Sequence, residues 1–269
     1  MQQAAYRLPP VEPVRAPEYG LGNLLDVFGY HEVIDGVRFA FTDRFGGVSE
    51  PPYAELNLGS ASGDEAGAIA ENFRRVASAF EVEPDAVIRI SQVHGRDVHV
   101  VRPGAELPAS PIPSADAIVT TRTDVVLCVR AADCLPVLLA DPANGVAGAV
   151  HSGRRGLFAG VVPAAVEAMR ELGAESITAV LGPYACGKCY EVPEEMRDEV
   201  AGRAPAAYAE TSWGTPSLDV AAGVTAQLAE LDCQVVDASS CTIESGDLYS
   251  YRREGQVSGR LAGLVRLAA

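Results

Sequence analysis

The chain has 269 residues, 36 acidic against 21 basic, a formal net charge of -15 and a hydrophobic content of 48% with few aromatics. That length is enough to bury a substantial core. The negative field repels nucleic acid and anionic lipid, so neither is an expected partner, and an anionic substrate would need a locally basic pocket. No stretch offers the roughly 18 uninterrupted apolar residues of a membrane span, and the N-terminus lacks the charged-then-apolar pattern of a signal peptide. A cytoplasmic protein is therefore expected, in which six cysteines argue against a disulfide scaffold and leave thiol chemistry or metal binding open.

Residues 1–25 are proline-rich and read as an extended arm, leaving 26–269 as one catalytic domain. "VRFAFTDRFGGVSE" is a strand from Val37 to Thr42 running into a turn at Gly46-Gly47, which sets Arg44 near a strand end. Ile69, Phe73, Val76, Ala77 and Phe80 recur at helical spacing and predict a helix over about 66–80, with Pro84 beyond it. "AVIRISQVHG" reads as a strand with His94 at its mouth, and "DVHVVRP" as its return strand across a hairpin at His94-Gly95-Arg96. "ADAIVTT", "VVLCVRAAD" and "LPVLLAD" are three β-rich runs; Asn144-Gly145 signals a hairpin into a strand, Val146 to Val150, that delivers His151.

"LFAGVVPAAVEAMRELG" has helical periodicity, with Pro163 starting or kinking the main helix and Gly173 capping it. "ITAVLGP" and "CQVVDAS" read as strands, "PEEMRDEVAGR" and "DVAAGVTAQLAEL" as helices. Hairpins interleaved with single helices predict an α/β (α+β) fold of mixed sheets packed against helices, not a doubly wound parallel sheet.

His94 and His151 each follow a strand and precede a glycine-containing turn, and Cys134 sits at the join between two buried runs. A thiolate and two imidazoles match a catalytic zinc site, with a fourth position open to water or substrate. The same residues permit a cysteine nucleophile with a histidine base, with Asp133 orienting the base or handling protons. Strand-end His and Cys are also commonly structural, so spacing alone leaves these readings open. Cys186 and Cys189 in "CGKCYEV" suit a redox pair or half a zinc site, but no second pair accompanies them and an incidental pairing is the simpler reading. Cys128 and Cys233 read as strand-core residues, while His99 and His31 lack a partner pattern. Arg44, Arg154 and Arg155 occur in glycine-containing turns, either gripping phosphate or simply exposed.

"TDRFGGVSE", "NLG", "SQVHG", "ADAIVTTR", "ADCLPVLLAD", "AVHSGRRG", "LGP", "CYEV" and "CTIESGDLYSYRREGQVSGR" occur in the order seen in the YfiH-like family, also labelled the laccase-domain or multicopper polyphenol oxidase family. The chain resembles that family from about residue 36 to 266. The resemblance implies a layered fold similar to the cytotoxic necrotizing factor/YfiH-like type, with zinc ligands at His94, Cys134 and His151. It also implies a purine nucleoside enzyme that phosphorolyses adenosine, inosine and methylthioadenosine and deaminates adenosine. Purine nucleosides and phosphate would then be the partners of a monomer or homodimer. Arg44 and Arg155 would lie near phosphate or ribose, with Asp133 and Cys134 as catalytic residues. One departure stands out: relatives commonly carry "HAGWRG", whereas Ser152 and Arg154 replace the alanine and tryptophan.

Three other readings compete. A copper-dependent phenol oxidase follows from the family label, but a multicopper enzyme needs several His-rich ligand sets and this chain has four histidines. A Cys-His hydrolase editing peptidoglycan precursors is the stronger alternative, and a non-catalytic metal-binding module is the third.

Overall fold

The computed structural model describes residues 27–60, 63–107 and 111–268, so the arm read at 1–25 lies outside the described residues. Strands β1 (Phe28–Ile34) and β2 (Val37–Thr42) form an antiparallel hairpin around Asp35 and Gly36, both with positive φ. Helix α1 (Ala66–Ala79) follows, then β3 (Val87–Arg89), β4 (Val98–Val101), β5 (Ala117–Thr120), β6 (Val126–Ala131), β7 (Leu135–Asp141) and β8 (Val146–Ser152). Two helices, α2 (Arg154–Ala159) and α3 (Val161–Glu171), lead to β9 (Thr178–Leu181) and α4 (Glu194–Ala201). The chain ends through β10 (Tyr208–Glu210), β11 (Pro216–Leu218), α5 (Val220–Glu230), β12 (Gln234–Asp237), the short α6 (Tyr251–Glu254) and β13 (Leu261–Arg266).

The strands form two large mixed sheets, β1-β2-β13-β6-β3 and β12-β9-β7-β8-β5-β4, beside a small β10-β11 ribbon. Every residue of β7 and β8 is buried because both faces of these strands are covered. On one face, Leu138, Ala140, Ala147 and Ala149 meet Phe39, Phe41, Leu127 and Val265 of the other sheet. On the opposite face, Val137, Leu139, Val146 and Val150 meet α3 and α5 through Val162, Val166, Met169 and Val224. Helix α1 closes the far side of the five-stranded sheet with Ile69, Phe73, Val76 and Phe80 against Ala40, Val126 and Leu264. The result is a mixed α+β protein in four layers, helix, sheet, sheet, helix. Among the described residues no helix is long and apolar enough to cross a membrane.

The hairpin expected at His94-Gly95-Arg96 is not formed. β3 pairs in parallel with β6 in one sheet, and β4 pairs in parallel with β5 in the other, so the segment between them crosses from sheet to sheet. Alternating hydrophobicity reports which face a side chain occupies and is silent about its strand's partner. The single helix read after "SGRRG" is two, broken at Gly160 with φ 79°, and Arg154 and Arg155 belong to α2 instead of a turn. Pro163 falls in the first turn of α3, where its missing N–H costs no hydrogen bond. Cys233 precedes β12 and is half-buried, whereas Cys128 is buried within β6 as read.

The sheets approach closely where glycine permits it. A Cβ on Gly182 would lie 2.3 Å from Cε1 of the buried Phe41 ring. Gly182→Ala is therefore expected to destabilise the fold by about 3 kcal/mol, and pairing it with Phe41→Leu to recover part of that loss. Urea unfolding of both variants reads the effect; an unchanged midpoint for Gly182→Ala would remove this packing account.

Candidate functional site

The site is assembled at the ends of the two central strands of the six-stranded sheet, β7 and β8. Leu135 of β7 is registered against Ser152 of β8, which brings Cys134, just before β7, beside the end of β8 and His151. Gly153 is required here, since a Cβ would lie 2.7 Å from Cys134 Sγ. The third residue arrives on the sheet-crossing segment, where His94 takes a positive φ of 60°. Its ring meets that of His151 edge to face with centroids 4.9 Å apart, and its Nε2 lies 3.8 Å from Cys134 Sγ. The ligand atoms of His94, Cys134 and His151 all lie within 4.8 Å of one another.

Asp116 organises this group, and sequence reasoning missed it. It lies just before β5 and is fully buried. Its Oδ1 accepts the His94 N–H at 2.9 Å and stands 2.9 Å from His151 Nδ1; its Oδ2 accepts the N–H groups of Val93 at 3.2 Å and Gly95 at 2.6 Å. One carboxylate thus shapes the turn that presents His94 and fixes the ring of His151, the outer-shell arrangement that orients metal-binding histidines. Burial pushes the Asp116 carboxyl up, but the His151 ring and the backbone N–H groups outweigh it and hold it at about 2. Burial alone would lower His151; the Cys134 sulfur and Asp116 instead raise it to about 9. Burial would raise the Cys134 thiol, and the facing His151 and His94 rings bring it down to about 6. The three donors are mixed nitrogen and sulfur, and Asp116 engages Nδ1 of His151, leaving its Nε2 free for an ion. Such a set fits a zinc ion with one open position.

These residues line a cavity of about 500 Å³, a size suited to a small organic ligand. Its wall carries Arg130, Arg252 and Arg260, none paired with a carboxylate among the described residues, together with Tyr190 and Tyr251. The arginines are held by neutral groups: Arg130 by Ser60 Oγ at 3.0 Å and Ile90 O at 3.2 Å, Arg252 by Glu191 O at 2.9 Å, Arg260 by Ser258 O at 2.7 Å. Their charge is left available, which gives an acidic protein the local basic pocket that an anionic ligand needs.

Asp133 also lines the cavity, in a strained backbone conformation with φ 89°. Its Oδ1 accepts from Thr242 Oγ1 at 2.6 Å and its Oδ2 from the backbone N–H of Arg252 at 2.7 Å. Arg44 and Arg155 are not brought to the cavity. Arg44 is engaged elsewhere, by Ala54 O at 3.2 Å, Gly246 O at 3.1 Å and Glu254 at 3.3 Å, over the Tyr249 ring. Arg155 is exposed on α2 outside the cavity wall. A glycine-containing turn near a family motif does not report where the guanidinium goes once the chain has folded.

The fold and this strand-end site define a class, layered mixed α+β proteins with a His, Cys and His group able to hold a metal beside a cavity lined by arginines. Residues 38–268 match the family described as multi-copper polyphenol oxidoreductase laccase, and the chain belongs to that family. It is 54% identical over 244 residues to a protein of Streptomyces coelicolor named purine nucleoside phosphorylase, covering 90% of this chain and 100% of that one. A Shigella flexneri protein named purine nucleoside phosphorylase YfiH is 36% identical, covering 86% and 94%. The fold is similar to that of the Neisseria meningitidis protein NMB0706, with a TM-score of 0.79, 30% identity and coverage of 90% and 100%. It is also similar to Geobacillus stearothermophilus YlmD, with a TM-score of 0.75, 29% identity and coverage of 87% and 93%.

Proposed function

We propose that residues 26–269 form one catalytic domain, a zinc-dependent purine nucleoside phosphorylase acting on adenosine, inosine and methylthioadenosine, with adenosine deamination as a further activity. The observation that carries this reading is the union, in one cavity, of three side chains able to hold a metal with three arginines that have no carboxylate partner among the described residues. The 54% identity to a relative named purine nucleoside phosphorylase supports the phosphorylase part of it. His94, Cys134 and His151 would hold the zinc, which when bound supplies Lewis acidity at the cavity floor.

In phosphorolysis a phosphate oxygen bonds to the anomeric carbon while the bond from that carbon to the purine nitrogen breaks. The purine leaves with the electron pair and takes up a proton. Arg130, Arg252 and Arg260 bind and orient the phosphate and offset its charge as it approaches the sugar. Tyr251, exposed at the cavity wall, offers a flat surface for the base, the service that a tryptophan in place of Arg154 would otherwise suggest, whereas the Tyr190 ring is covered by Arg252. Asp133, with both oxygens already accepting, holds Arg252 and the loop of Thr242 in position, so the geometry favours positioning over proton handling. Arg130→Met is expected to raise the KM for phosphate by ~10–100-fold, as loss of a charged hydrogen bond would, while Arg155→Met leaves it unchanged. Steady-state kinetics with phosphate varied would sink the assignment if the two variants behaved alike.

Product analysis of zinc-loaded protein with each nucleoside, with and without phosphate, tests the activity itself. Free base appearing only with phosphate supports phosphorolysis; ammonia and inosine from adenosine without phosphate support deamination; no turnover of any nucleoside rejects the reading. A Cys-His hydrolase is the second reading, favoured by the depressed Cys134 thiol beside two imidazoles. It requires activity in metal-free protein that thiol alkylation removes.

A further inference from the structure

A second group of donors lies outside the cavity. Cys186 and Cys189, read above as an incidental pair, are joined by Cys241 and Glu244, and the four ligand atoms all lie within 4.8 Å of one another. Cys186 and Cys189 sit on the segment between β9 and α4, Cys241 and Glu244 on the segment between β12 and α6. A parallel bridge between Tyr184 and Cys241 locks the two together, with Tyr184 N donating to Ser240 O at 3.0 Å and Thr242 N to Tyr184 O at 2.9 Å.

Each pair of donors sits on a turn closed by its own backbone: Cys189 N donates to Cys186 O at 2.9 Å, and Ser245 N to Cys241 O at 3.0 Å. The first turn is fixed by its surroundings. Ser217 Oγ donates to Gly187 O at 2.5 Å, and a Cβ on Gly187 would lie 2.8 Å from Asp219 Cβ, so only glycine fits there. A disulfide would use two of the thiols and leave the third, with the carboxylate, unexplained. A tetrahedral zinc ion with bonds of about 2.3 Å to sulfur needs sulfurs ~3.8 Å apart, so this group has to contract by only about 1 Å at its widest.

We propose that Cys186, Cys189 and Cys241, with Glu244 as the fourth ligand, form a structural zinc site separate from the His94, Cys134 and His151 group. Four protein ligands close the coordination sphere, and three thiolates select a soft cation over magnesium or calcium. The site clamps two loops that build the cavity wall. Tyr190 follows Cys189 directly and packs under Arg252, whose guanidinium carbon is 4.6 Å from its ring centre. Thr242 follows Cys241 and donates to Asp133. Zinc at this position therefore holds the aromatic and cationic wall of the cavity from behind.

The test is zinc stoichiometry by mass spectrometry on the full chain, expressed with zinc and purified without chelator. Two equivalents are expected for the wild type and one for the Cys186→Ser/Cys241→Ser variant. The His94→Ala/Cys134→Ala/His151→Ala variant should also hold one, which makes this site's result independent of the functional reading above. The Cys186→Ser/Cys241→Ser variant is expected to lose roughly tenfold or more in kcat/KM while keeping its remaining zinc, through a displaced Tyr190 and Arg252. Should that variant fail to fold, cobalt titration of the folded His94→Ala/Cys134→Ala/His151→Ala variant decides the matter. Thiolate-to-cobalt charge-transfer bands support the site, and their absence overturns it. Unchanged zinc after removal of Cys186 and Cys241, or a Cys186–Cys189 disulfide in the zinc-loaded wild type, overturns it as well.

Discussion

Cys134→Ala is expected to lower kcat/KM for inosine phosphorolysis by at least ~10³-fold, about 4 kcal/mol of transition-state stabilisation, and to release one equivalent of zinc. The side chain is the only sulfur in the three-donor group, and removing it leaves two imidazoles that compete poorly for the ion. The fold should survive, because Cys134 is only half-buried and lines the cavity. Far-ultraviolet circular dichroism and the urea midpoint check the fold, and metal analysis checks the ligand. A variant that kept its zinc and its turnover would show that Cys134 is neither ligand nor nucleophile.

The second large effect belongs to Asp116. In Asp116→Asn one carboxylate oxygen becomes an NH₂ group, yet each oxygen faces N–H donors: His94 N and His151 Nδ1 on one side, Val93 N and Gly95 N on the other. Whichever way the amide turns, a buried donor opposes a donor. The variant is expected to lose about 3 kcal/mol of stability and 10–100-fold in zinc affinity at the His94 site. Asp141 supplies the control, because it is equally buried and accepts from Asn144, Glu175 and Ser176 near the far end of β7. Asp141→Asn should destabilise the fold and leave zinc affinity unchanged. Equal effects of the two substitutions on zinc affinity would reduce Asp116 to a purely structural residue.

The elements with strong periodicity were legible in the sequence. The strand at Val37–Thr42 and the helix near 66–80 follow from patterns of two and of 3.6, and the Asn144-Gly145 signal marks the β7-β8 hairpin. His94, Cys134 and His151 were legible as strand-end residues, but only the family resemblance joined them, because linear separation carries no information about which strand ends meet. Asp116 lies inside the "ADAIVTTR" run, but nothing in that run gives it a role: an aspartate before a strand looks the same whether it caps a turn or accepts four hydrogen bonds. Arg130, Arg252 and Arg260 were equally silent, since a guanidinium's value to an anion depends on whether a carboxylate has already claimed it. Cys241 shows the same limit, for its tie to Cys186 and Cys189 exists only through the Tyr184 bridge.

The measurement that bears most directly on the account is the fate of phosphate during turnover. Zinc-loaded protein is given inosine and labelled orthophosphate, and free base and sugar phosphate are quantified together. The cavity described here predicts one labelled ribose 1-phosphate for each base released, and a parallel loss of both in Cys134→Ala. Base released while the label stays in orthophosphate, or no base released by fully zinc-loaded protein, would contradict it.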